Sequence, residues 1–103
     1  RHTIFLFGEA EKGEFCTPKL CESVYQLAEK FGNPPKESEG LPYGIQMLLY
    51  NRLLIYYRVK EEGFSLSDYK QGLKMLKNQN IDRQPIKMVK IRMINFNRKQ
   101  NVL

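Results

Sequence analysis

The sequence has no tryptophan, one histidine (His2) and two cysteines, and these scarcities exclude several kinds of site. Two cysteines, Cys16 and Cys21, are too few for a disulfide scaffold, so we interpret them as reduced thiols. A structural zinc site needs four ligands, usually cysteine or histidine, and the chain offers three such residues in all. We therefore expect no disulfide, no metal and no cofactor.

Long apolar runs are also missing. The longest candidates, residues 3–7 and 53–57, fall far short of the roughly 20 apolar residues that a membrane span requires. The start of the chain lacks the pattern of a secretory signal, because one short apolar run leads directly into an acidic loop. We predict no membrane span, a soluble protein and, as the default, a cytoplasmic location.

Length and composition favour one packed domain. The 103 residues are 42% hydrophobic and 27% charged, which is typical of a globular chain and leaves no room for a second core. We predict a single small domain over residues 1–103, in which residues 97–103 form a flexible basic tail.

Hydrophobic patterning in the first half predicts one strand and two helices. Residues 3–7 are continuously apolar and end at Gly8, which indicates a strand buried on both faces. Thr17 and Pro18 suit a helix start, and apolar spacing extends that helix to about Phe31. Pro42 could open a second helix that runs to Tyr50, although a glycine at position 44 weakens it.

The second half is predicted to contain two more strands and a helix. Residues 53–59 indicate another strand buried on both faces. A capping box over residues 65–68 predicts a third helix, whose apolar residues are Leu66, Tyr69, Leu73 and Leu76. Residues 86–96 favour a strand with one basic face, and the alternative is a helix that uses Ile86, Val89, Met93 and Phe96.

The resulting order, β-α-α-β-α-β, predicts an α/β fold with a small open sheet of about three strands and helices packed on it. The two apolar strands are expected to be parallel neighbours. The basic third strand is expected at an exposed edge, where its charges discourage unwanted pairing.

The glycines at positions 8 and 13 have the spacing of a phosphate-binding loop after a strand, but the chemistry is wrong. The Lys and Ser or Thr of such a loop are replaced by Glu14 and Phe15, and three glutamates would repel phosphate. We do not expect nucleotide binding here.

No catalytic constellation is recognisable, so we predict that the protein is not an enzyme. A catalytic reading would use Glu9, Glu11 or Cys21, and the chain offers no well-placed histidine to take a proton. That reading requires the structure to bring these groups together in a pocket.

Charge is distributed unevenly along the chain. Residues 1–50 have a net charge of −2 and residues 51–103 a net charge of +8. The basic end of the chain could contact nucleic-acid phosphates, with Phe96 stacking on a base. The phosphate-contacting residues would be Lys87, Lys90, Arg92, Arg98 and Lys99. The simpler alternative is a solvated edge strand and tail.

The sequence therefore favours a small noncatalytic protein-interaction or assembly module, regulatory or adaptor in role, that docks on a partner protein or on itself. Tyrosines gather around the second strand, and Tyr and Arg are enriched at interfaces. The predicted interaction residues are Tyr56, Tyr57, Arg58, Lys90, Arg92 and Phe96. The alternative is a nucleic-acid-binding protein that uses the basic C-terminal strand and tail.

Overall fold

The computed structural model describes residues 2–62, 70–72, 74–75, 80–81, 84–85 and 91–95, the last three segments as backbone. The elements are β1 (Thr3–Gly8), β2 (Pro18–Cys21), α1 (Val24–Phe31), α2 (Gly40–Leu49), β3 (Leu53–Arg58), β4 (Asn80–Ile81), β5 (Gln84–Pro85) and β6 (Ile91–Asn95). Residues 70–72 and 74–75 are helical. Among these ranges, no helix has the length and apolar content needed to cross a membrane.

Four strands form one open sheet in the order β2-β3-β1-β6. Strand β1 pairs in parallel with β3, with Thr3 opposite Leu53, and in parallel with β6 on its other side. Strand β2 pairs antiparallel with β3. The predicted fold class, a small open α/β sheet with helices packed on it, is confirmed. The apolar strands are parallel neighbours, as expected, and β6 lies at an edge.

Strand β1 is central and fully buried because both of its faces are covered. Ile4 and Leu6 point to the face on which α1 and α2 pack. Phe5 and Phe7 point to the opposite face, where a Cβ added to Gly72 would meet the Phe7 ring. The continuous apolar run in β1 is thus explained by a hydrophobic layer on each side of the sheet.

The predicted start of the first helix is wrong. Residues from Pro18 form β2, and α1 begins only after Ser23, whose Oγ accepts a hydrogen bond from the Gln26 backbone N–H at 3.2 Å. Leu20 fits the helical spacing, but it lies opposite Ile55 in the ladder with β3. Tertiary pairing therefore determines the structure of a short segment whose local pattern suits either element.

The second helix is confirmed as α2, and the sheet explains its glycine. Gly44 is buried, and a Cβ added there would lie 2.9 Å from Leu54 Cδ2. Its lack of a side chain lets α2 approach β3 closely, which offsets its low helix propensity.

The strand interpretation of the last apolar segment holds for β6, at residues 91–95. The pairing of β4 with β5 and the strand β2 were not predicted. The apolar positions of the predicted third helix, Leu66, Tyr69, Leu73 and Leu76, lie outside the described residues, as does the predicted tail at 97–103.

Candidate interaction site

The position of α2 is held by a buried carboxylate, that of Glu62, which has no exposed surface. Its Oε1 accepts a hydrogen bond from the Glu39 N–H at 2.7 Å, and its Oε2 accepts one from the Gly40 N–H at 3.1 Å. The Ser38 hydroxyl also donates to Oε2. Glu62 therefore caps the N-terminus of α2 from a distant part of the chain, where a negative charge is favourable.

The same carboxylate ties α2 to the end of β1. The Glu9 N–H donates to Glu62 Oε2 at 2.8 Å, and the Glu62 N–H donates back to Glu9 Oε2 at 2.7 Å. Tyr56 lies beneath this pair and donates its hydroxyl proton to the Glu9 carbonyl at 2.8 Å. Burial, followed by the charges of Glu62 and Glu9, raises the pKa of Tyr56 above its usual value, so its hydroxyl stays protonated. We call this cluster the Glu62 latch.

Backbone packing at the latch is unusually close. A Cβ added to Gly40 would lie 2.9 Å from the Gly8 Cα and would also strike the Tyr56 hydroxyl. The end of β1 and the start of α2 can meet only because both residues are glycine. The latch therefore holds α2 against the sheet at a defined position.

The helix so held has an unusual composition for a surface element. None of the ten residues of α2 is charged. Leu49 is 71% exposed, and Tyr50, directly after the helix, is 64% exposed. We define the α2 outer face as Pro42, Tyr43, Gln46, Leu49 and Tyr50. Tyr43 is half-buried and packs in part against the core, and the other four residues are exposed.

Depressions lie on both sides of this face. The first, the α1–α2 groove, has a volume of about 70 Å³ and is lined mainly by apolar side chains, including Val24, Ala28 and Ile45. The second is an open hollow of about 290 Å³ beside the first turns of α2, lined by Ser38, Glu39, Pro42, Tyr43 and Gln46. An apolar surface with a groove can receive a side chain from a partner.

The one charged residue among the described residues that line the two depressions is acidic. Glu39 lines the hollow and is exposed, and the exposed Glu29 follows groove-lining Ala28 in α1. None of the described residues that line either depression is Lys or Arg. The surface is therefore mainly apolar, with Gln46 exposed on it and a carboxylate at the hollow. At its other end lies Arg52, whose Nη1 donates to the Tyr50 carbonyl at 3.2 Å.

Tyr56 and Tyr57, two of the predicted interaction residues, have no exposed surface. Tyr56 packs edge-on against Phe31, and Tyr57 packs against Phe7 on the other face of the sheet. A partner could reach neither side chain in the folded domain. Both tyrosines are core residues, because the strand that carries them is covered on both faces.

Arg58, the third of these residues, is half-buried and forms internal contacts. Its Nη2 donates to the Ala10 carbonyl at 3.0 Å, and its Nη1 donates to the Gly13 carbonyl. The guanidinium lies 3.9 Å from the centre of the Phe15 ring, a cation–π contact. Arg58 thus holds the loop after β1 in place.

Most of the remaining candidates for protein or nucleic-acid contacts lie outside the described residues. These are Lys87, Lys90, Phe96, Arg98 and Lys99. Arg92 lies in β6, opposite Ile4 of β1, and the backbone of that strand is what the structure describes. Their roles in protein or nucleic-acid contacts stay predictions.

The residues considered for catalysis lie in different surroundings. Glu9 belongs to the latch, and Glu11 Oε1 accepts a hydrogen bond from the Asn33 N–H at 3.2 Å. Cys21 is buried in the core, and Cys16 lies at a half-buried position. Within the described part of the chain, no three His, Cys, Asp or Glu side chains gather as metal ligands do.

Sequence reasoning missed both the latch and the α2 outer face. Glu62 follows the second apolar strand in the charged sequence Lys60-Glu61-Glu62, and nothing local distinguishes it from exposed Glu61. The α2 face had a usable signal, a helix of ten residues without a charge that ends in Leu49 and Tyr50. A surface helix normally carries charged residues on its outer face, and their absence from α2 indicates a face that other protein covers.

Comparison with known proteins adds no relative to this description: no family model, no curated protein and no solved structure matches the chain.

Proposed function

We propose that this protein is a small noncatalytic interaction module that binds another protein through the α2 outer face. The observation that carries the proposal is the uncharged helix α2, which lies on the outside of the domain and exposes most of the Leu49 and Tyr50 side chains. Exposed apolar surface that is continuous and bordered by polar residues is characteristic of protein-binding sites.

The Glu62 latch supports the proposal because it makes the face rigid. Two of the N–H groups at the start of α2 bind a buried carboxylate, and this carboxylate is also bonded to the loop after β1. A face that is ordered before binding loses less conformational entropy when a partner docks. The latch thus prepares α2 for recognition without taking part in the contact.

Site-specific photocrosslinking tests the proposal. A photoreactive phenylalanine analogue replaces Tyr50 in the full chain, and the matched control carries it at the exposed Lys60, beyond the end of β3. We expect an identified protein to crosslink from position 50, and the adduct to disappear when Leu49→Lys is added. Crosslinks of equal yield from both positions, or a yield unaffected by Leu49→Lys, would contradict the proposal.

A second candidate function, nucleic-acid binding, is favoured by the position of β6. This strand forms an edge of the sheet and contains Arg92 within the basic half of the chain. Fluorescence anisotropy with labelled single- and double-stranded nucleic acid across a salt series tests it. Affinity that falls steeply with salt, and that is lost in Lys90→Glu/Arg92→Glu, would support phosphate contacts. Absence of binding at moderate salt would exclude them.

A further inference from the structure

Resting on the proposed function, we infer that the α2 outer face receives a short amphipathic helix with basic flanks, supplied by a partner protein. Three features of the face point to this occupant. They are its size, the shape of the α1–α2 groove and the charge at its margin.

Size favours a single helix over a second globular domain. The ten residues of α2 span about 15 Å, the length of roughly three helical turns. A stable interface between two folded domains usually buries about 800 Å² on each partner, far more than one such helix can present. A partner helix lying along α2 needs only a strip of this length.

The groove provides a place for an anchoring side chain. Its volume of about 70 Å³ suits the end of one aliphatic side chain, and its walls include Val24, Ala28 and Ile45. Leu49 follows Ile45 by four residues, so it extends the same side of α2 beyond the groove. Apolar residues of the partner at a spacing of three or four could contact both positions.

Charge at the margin selects a basic partner. Glu39 lines the hollow, Glu29 follows the groove-lining Ala28 in sequence, and both residues are exposed. Lysine or arginine on the polar side of the docked helix would lie near them. Glu39 would repel the anionic surfaces of nucleic acids and of acidic lipids from the hollow, and Arg52 lies at the other end of the face, beside Tyr50.

The net charge of the whole protein would oppose binding of a basic peptide, so a preference for such a peptide identifies where it binds. The net charge is +6, so the protein as a whole repels cationic ligands. At 0.1 M salt, charges are screened over about 10 Å, so the charges nearest to a bound peptide dominate its electrostatic interaction with the protein. Preference for a basic peptide therefore reports contact with the acidic margin.

Defined peptides provide the test, with the full chain as receptor. Fluorescence anisotropy is measured with a labelled helix of about 18 residues made only of leucine and lysine, its leucines on one face. One control peptide has the same composition with leucine and lysine reordered to remove that face. Another replaces every lysine with glutamate. We expect the amphipathic lysine peptide to bind more tightly than both controls.

Two receptor variants locate the contact. Leu49→Lys should weaken binding of the lysine peptide by roughly tenfold or more, because it replaces a strongly exposed apolar side chain of the face with a charge. The pair Glu29→Gln/Glu39→Gln should weaken it less and reduce its salt dependence. Glu39 makes no side-chain capping bond to α2, so its neutralisation preserves the helix start. Circular dichroism verifies that both variants fold.

Several results would contradict the proposal that a basic amphipathic helix binds the α2 outer face. Equal binding of the reordered peptide, tighter binding of the glutamate peptide, or no effect of Leu49→Lys would each do so. Leu49-dependent binding to phosphatidylcholine vesicles or a Leu49-dependent dimer in sedimentation would replace the helix with a lipid or a second copy. If crosslinking from position 50 persists while the peptides fail, the occupant is wrong and the interaction function stands. Failure of both refutes the function itself.

Discussion

Replacing Glu62 with glutamine tests whether the latch stabilises the domain. The carboxylate has no exposed surface and accepts four hydrogen bonds, three at Oε2 and one at Oε1. Glutamine has nearly the same shape but presents an N–H₂ donor in place of one oxygen. In the less costly orientation the amide nitrogen takes the Oε1 position, where it faces the Glu39 N–H.

The expected loss follows from these contacts. One buried N–H loses its acceptor, which costs about 1–3 kcal/mol, and three bonds lose the strength that a charged acceptor gives them, about 1 kcal/mol each. A neutral amide is also less costly to bury than a carboxylate, which offsets part of the total. We therefore expect Glu62→Gln to lower the free energy of unfolding by about 2–4 kcal/mol.

Urea unfolding followed by far-UV circular dichroism measures this loss, since the chain has no tryptophan to report by fluorescence. The matched control is Glu61→Gln, because Glu61 is the exposed neighbour and loses the same charge. Its effect should stay below about 0.5 kcal/mol. Equal stability of the two variants would show that the latch contributes nothing and that α2 is positioned by packing alone.

Three further substitutions test individual parts of the latch. Ser38→Ala removes one donor to Glu62 and should cost about 1–2 kcal/mol in wild type and less in Glu62→Gln, whose neutral amide oxygen accepts a weaker bond from Ser38; additive losses in a double-mutant cycle would refute the coupling. Tyr56→Phe tests the raised pKa of Tyr56. Above the usual tyrosine pKa of about 10 the unfolded chain ionises there while the folded one does not, so wild-type stability should fall with pH by up to about 1.4 kcal/mol per unit more steeply than that of Tyr56→Phe. Parallel stability curves between pH 9 and 11 would contradict this. Gly40→Ala should lower the urea midpoint, with a loss of about 2 kcal/mol or more, because its Cβ would lie 2.9 Å from the Gly8 Cα; a gain in stability, as helix propensity alone predicts, would show that the backbone can separate without cost.

Strands that depend on local sequence were predicted correctly, and the strand that depends on long-range pairing was missed. Strands β1 and β3 were predicted because a strand covered on both faces needs an uninterrupted apolar run, which is visible in any short window. Strand β2 was missed because four residues with one internal leucine suit a strand or a helix turn equally. Its pairing with β3, more than 30 residues away, decided between them.

The candidate site also depended partly on residue types that the sequence shows and partly on packing that it does not show. Tyr56 and Tyr57 were chosen for an interface because of their residue type, and the covering of both sheet faces made them core residues. The α2 outer face lies only a few residues before them. Its apolar composition was visible in the sequence, but the exposure of Leu49 depends on how α2 packs.

The sequence by itself determined the α/β class, the parallel pairing of its two apolar strands and the absence of charge from α2, since each depends on residue type and spacing over a few turns. Only the tertiary structure decided which acidic residue is buried. Glu61 and Glu62 are adjacent and chemically alike, but the carboxylate of Glu62 meets donors from Glu9 and from the start of α2, which lie 53 and 22 residues away in the chain. Burial of a carboxylate is tolerable only where such donors converge, and their convergence is a property of the folded chain.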